Sequence, residues 1–222
     1  MKTITMLLLV IWGIHTIQAQ EYASLPSGRS ALLTPLPALA SDSLPLMMKP
    51  RLLPEKISFM EKGLWGENGL LRTTGIAAPL TPESRKSELS LRRTMLVAHQ
   101  IGGFVTLGSM ITAVYFGQKI IDGNRGYTTN HQIFVTTTII SYSATGLLAV
   151  LSPPPMIRRD EASTTTLHKA LAWVHFTGMV LTPILGSMIS RRATSSQVAH
   201  FHQISAYTTT AALAASLIVI TF

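Results

Sequence analysis

The sequence predicts an all-α fold: an integral membrane four-helix bundle built from a duplicated helical hairpin, preceded by a signal peptide and a Pro-rich extracytoplasmic leader. Three observations predict it. Four stretches, 94–118, 126–157, 170–190 and 193–222, contain no Asp, Glu, Lys or Arg. Each has about 20 residues or more, enough for a helix rising ~1.5 Å per residue to cross a hydrocarbon core of ~30 Å. Polar motifs recur in the same order along these stretches, and every histidine but His15 lies in or beside them.

Residues 1–19 read as a secretory signal peptide. Lys2 supplies the positive start, "MLLLVIWGI" the short apolar core, and "IQA" the small-residue cleavage site at Ala19. Residues 20–90 form the extracytoplasmic segment and the start of helix one. The prolines and serines of residues 20 to about 80 favour extended chain over long helices. Within them, "EKGLWGENGLL" could form a short amphipathic turn on the membrane or on a partner; the simpler expectation is a loosely ordered leader.

The transmembrane domain, 91–222, follows. Thr81 can cap helix one, with Pro82 at the first helical position and Glu83 complementing the dipole. That helix ends at "IIDGNRG". Helix two is expected from about Asn130 to Leu151, where "SPPP" stops it. Helix three is expected from about Ser163 to Ser190, kinked at Pro183, and helix four from about Ser196 to Phe222. A cleaved signal places the N-terminal segment outside the cytoplasm, in a cell (inner) membrane protein. The basic residues Lys119, Arg125, Arg191 and Arg192 on one side nearly balance Arg92, Arg93, Arg158 and Arg159 on the other, so they do not reinforce this orientation.

"AHQIGGFVTLGSMI" in helix one is echoed by "VHFTGMVLTPILGSMI" in helix three, aligning His99 with His175 and Gly102 with Gly178. "HQIFVTTT" at His131 in helix two is echoed by "HQISAYTTT" at His202 in helix four. Two helices return the chain to its starting side, so this is a parallel repeat. His99 and His175 fall toward one membrane face, and His131 and His202 toward the other.

An ionisable side chain within a span is costly and points to function. A neutral imidazole can give a nitrogen lone pair to iron, and a b-type haem needs one such ligand on each face. Two facing helices with one histidine each supply that. Gly102 and Gly178 share the histidine faces in stripes of small residues. Such stripes leave room for a flat macrocycle, or let two backbones pack closely. His168, seven residues before His175 on nearly the same face, and His200, beside His202, are reserve candidates. Gln100, Gln132 and Gln203 are expected to bond to neighbouring helices.

Four spans with one histidine each, paired first-with-third and second-with-fourth, resemble the cytochrome b561 type of transmembrane electron carrier over roughly Thr94 to Phe222. The resemblance implies two b haems, one near each membrane face. His99 and His175 would ligate one as metal ligands, and His131 and His202 the other. It also implies one-electron transfer between a donor and an acceptor such as a quinone or a redox protein, so the protein is at most a membrane oxidoreductase. Arg92, Arg93, Arg158 and Arg159 could then meet haem propionates. The leader matches nothing in that family.

The absence of cysteine excludes disulfides, cysteine-ligated clusters and c-type haem attachment. The net charge of +8 suits anionic lipid headgroups rather than nucleic acid. No phosphate-binding Gly-rich loop and no H-E-x-x-H is present, so no catalytic residues are predicted. Two further readings stay open: a haem-free membrane subunit in a homo-oligomer or complex, and a small histidine-based proton or metal transporter. The spans hold no acidic residue, which weakens the transporter.

Overall fold

The computed structural model describes residues 51–157, 163–191 and 196–221. The expected signal peptide, residues 20–50 of the leader, Arg158, Arg159 and Arg192 lie outside them. Among the described residues, four helices are long and apolar enough to cross a membrane. The protein is a helical multi-spanning membrane protein. Large apolar side chains such as Ile101, Ile140, Trp173 and Ile218 are exposed along these helices. In water that would be costly; facing lipid tails it is not.

The last part of the leader is folded. Ser58 caps α1 (Phe59–Trp65) through a reciprocal bond with Glu61. A turn leads to α2 (Leu70–Thr73). Trp65 is buried, and its indole N–H donates to the Leu151 carbonyl at 3.0 Å. The segment expected to be loosely ordered therefore docks on the far end of the chain's own first hairpin.

The docking is held by a buried charge cluster. Arg72 Nη2 lies 2.7 Å from Glu88 Oε1, and Arg85 pairs with the other Glu88 oxygen. Arg85 is almost fully buried. It also donates to the Leu52 carbonyl at 2.7 Å and the Pro154 carbonyl at 3.0 Å. Three charges removed from water need this degree of mutual satisfaction to be tolerated. Arg92 extends the set to the Pro153 carbonyl at 2.6 Å.

α3 (Pro82–Ile121) is 40 residues long and starts as the sequence predicts. The Thr81 hydroxyl accepts the Ser84 N–H at 3.1 Å, and the Ser84 hydroxyl accepts the Thr81 N–H at 3.0 Å. At about 60 Å this helix outspans the hydrocarbon core. Its charged first third lies beside the α1–α2 cap, as the Arg72–Glu88 pair shows. Gly123, at φ 94°, turns the chain after it, a backbone angle that only glycine adopts freely. A 3₁₀ turn (Arg125–Tyr127) leads into α4 (Thr128–Val150). α5 (Thr164–Arg191) carries Pro183 in its interior, and α6 (Ser196–Thr221) closes the bundle.

α3 packs along α4 and α5 along α6, giving two hairpins that meet mainly through α3 and α6. Glutamines tie that seam at both ends. Gln100 donates to Thr221 Oγ1 at 3.2 Å, and Gln118 accepts from Gln203 at 2.9 Å and Tyr207 at 2.8 Å. Five of the six triplet threonines instead bond back to their own helices, for example Thr138 to the Phe134 carbonyl and Thr210 to the Ala206 carbonyl.

Candidate functional site

Four imidazoles share one arrangement. His99 Nδ1 lies 2.8 Å from the Thr145 carbonyl, and His131 Nδ1 lies 2.8 Å from the Ala113 carbonyl. His168 Nδ1 lies 3.1 Å from the Ser216 carbonyl, and His202 Nδ1 lies 2.9 Å from the Thr182 carbonyl. A carbonyl can only accept. Each Nδ1 therefore carries the hydrogen, and the neutral ring keeps its lone pair on Nε2. Every bond joins the two helices of one hairpin, so the hairpin fold itself orients the rings.

These four rings form two facing pairs. His99 on α3 faces His168 on α5, with ring centroids 6.2 Å apart and planes at 83°. His131 on α4 faces His202 on α6, at 6.3 Å and 84°. Along α3, the carbonyl serving His131 comes 14 residues after His99, so the two pairs are about 21 Å apart in depth.

His175 is differently placed. It is buried, and its Nδ1 lies 2.8 Å from the Tyr142 hydroxyl, joining α5 to α4. A hydroxyl can give or take the hydrogen, so this contact does not fix the tautomer. The repeat in the sequence sets His175 opposite His99; in the fold the ring facing His99 belongs to His168. His200 is exposed, and among the described residues no ring faces it.

The glycines are also redistributed. A methyl group at Gly102 would overlap Thr145 Oγ1, and one at Gly178 would overlap Thr209 Oγ1. Both glycines seat a neighbouring threonine, the close-packing use of a small residue. His131 and His202 rest on two other glycines: Gly186, which lies in the "LGSMI" of helix three, and Gly117, which the quoted motifs leave out. A Cβ at Gly117 would lie 3.2 Å from His131, and one at Gly186 would lie 3.0 Å from His202.

These contacts recur at constant offsets. His99, Ala113 and Gly117 on α3 match His168, Thr182 and Gly186 on α5, each 69 residues later. His131 and Thr145 on α4 match His202 and Ser216 on α6, each 71 residues later. A histidine with a glycine 18 positions on, present in both α3 and α5, is the sequence signal that carries this register.

Among the described residues, no group of three or more His, Asp or Glu gathers to hold a metal ion. The donor set needed for a tetrahedral zinc-type site is therefore not assembled there; the donors come in twos. Comparisons with protein families, with curated proteins and with solved structures gave no match.

Proposed function

We propose that this membrane protein carries single electrons across the bilayer on two b-type haems, of which His99 and His168 would hold one and His131 and His202 the other. The ring spacing is the observation that carries this reading. A metal–imidazole bond is about 2 Å, and a five-membered ring of ~1.3 Å bonds places each atom roughly 1.1 Å from its centre. Two imidazoles sharing one iron through Nε2 thus have centroids about 6 Å apart, matching the 6.2 and 6.3 Å found. Two ligands per iron suffice, so the lack of a three-donor cluster does not count against it. Bound there, each haem supplies one-electron redox chemistry.

The chain's own residues do the rest. The Nδ1–H bonds to carbonyls hold each ring in its ligating tautomer and raise the basicity of Nε2. The apolar span exteriors keep the centres in lipid. A one-electron donor at one face and an acceptor at the other would complete the path, with a quinone or a redox protein as the chemical classes in view. The two hairpins are two copies of one unit, each contributing one ligand to both centres. A signal peptide and an extracytoplasmic N-terminal segment, in a cell (inner) membrane, complete the reading.

A haem-free multi-pass subunit is the second reading. The same four hydrogen bonds support it, since each ties two helices together with no cofactor needed. Purified full-length protein from haem-replete cells separates the two. The electron-carrier reading expects two haems per chain and a reduced-minus-oxidised b-type spectrum. His168→Ala is expected to remove one haem, while His175→Ala retains both. Colourless wild-type protein would sink the first reading and leave the second.

A further inference from the structure

We infer that Ser216 is a positioning residue that makes the two centres electronically unequal, lowering the reduction potential of the His99–His168 centre. This deepens the dihaem reading and rests on it.

Three of the four ring N–H groups meet a single carbonyl oxygen. His168 meets two oxygens of one residue: the Ser216 carbonyl at 3.1 Å and the Ser216 hydroxyl at 2.8 Å. Ser216 is essentially fully buried, so water does not compete for either contact. The equivalent residue in the first hairpin also carries a hydroxyl, but Thr145 Oγ1 is turned into the space at Gly102. The second hairpin has Leu171 at the place of Gly102, which closes that space by sequence. The hydroxyl at 216 stays on the imidazole.

The chemistry follows from the donor. Were Nε2 to hold iron, Nδ1 would keep its hydrogen and share it between the two Ser216 oxygens. A second acceptor pulls more strongly on that hydrogen and makes the ring a better electron donor. Electron donation stabilises the oxidised iron more than the reduced iron, which lowers the potential of that centre alone. His131 and His202 have one oxygen each and receive no such push.

The test is a spectroelectrochemical titration of the full-length protein with Ser216, Ser216→Cys and Ser216→Ala. The hydroxyl is the strongest acceptor, the thiol a weak one and the methyl none. One midpoint potential is expected to rise in the order Ser, Cys, Ala. The Ala variant should shift the reduction equilibrium of that centre about threefold, or roughly 28 mV at 59 mV per tenfold. The other potential should stay fixed, and haem content should stay at two per chain. Two unmoved potentials, or two that move together, would overturn the inference while leaving the dihaem reading intact. Wild-type protein without haem would overturn both.

Discussion

The first hairpin, α3–α4, and the second, α5–α6, hold their histidines by the same backbone carbonyl bonds and pack their backbones differently. In both, a ring N–H reaches a carbonyl on the partner helix near each end, and a glycine makes room for the deeper ring. The remaining tight contacts do not correspond. Gly102 receives Thr145 in the first hairpin, but its counterpart in the second is Leu171. Gly178 receives Thr209 in the second, and their counterparts in the first are Ser109 and Thr138. Each hairpin solved its own packing locally. Among these contacts, what the two share lies in the groups that set the imidazoles.

The strongest way to break this comparison lies outside the membrane, where the first hairpin has a partner and the second shows none among the described residues. Glu88→Ala leaves Arg72 and Arg85 buried without their carboxylate. A loss of about 3–5 kcal/mol is expected from removing one member of such a cluster. Limited proteolysis should then cut near α1 and α2, while the four long helices stay protected. A cap that stays protected in that variant would show the cluster to be dispensable.

Glycine substitutions give an intermediate effect and separate the hairpins. Gly102→Ala and Gly178→Ala each force a threonine aside, at a cost of about 1–3 kcal/mol, read from denaturant titration in detergent. Adding Thr145→Ala should relieve the first nearly completely, because the Thr145 Cβ would sit at an ordinary 3.4 Å. Adding Thr209→Ala should relieve the second only in part, because the Thr209 Cβ remains at 2.9 Å. Equal relief in both would mean that the helices shift apart rather than the side chains. The smallest change is Gly108→Ala, where nothing stands within 4 Å. It should stabilise by about 0.4–1 kcal/mol through the reduced freedom of the unfolded chain.

The sequence carries the spans, their ends and the histidines plainly, because uncharged length, caps and prolines are local properties. α3 begins at the predicted Pro82, and the last helix begins at the predicted Ser196. The partner of His99 is less plain. His168 and His175 differ by seven residues, close to two turns, so they share a face and periodicity does not separate them. The echo of "LGSMI" and the aligned Gly102 and Gly178 favour the deeper histidine. The fold favours the shallower one, through the Ser216 carbonyl on α6. That carbonyl is a backbone group, invisible to any reading by residue type. The cap was hidden for a related reason: Trp65 and Leu151, or Arg85 and Pro154, meet across long stretches of chain with no pattern to announce them.

The length of α3 has a mechanical consequence. One continuous helix carries Arg85 in the cap, His99 in one ring pair, and the Ala113 carbonyl and Gly117 that seat His131 in the other. A tilt imposed on its outer third is transmitted along the same rod to both depths at once. Whatever pulls on the cap has a lever arm reaching through the bilayer.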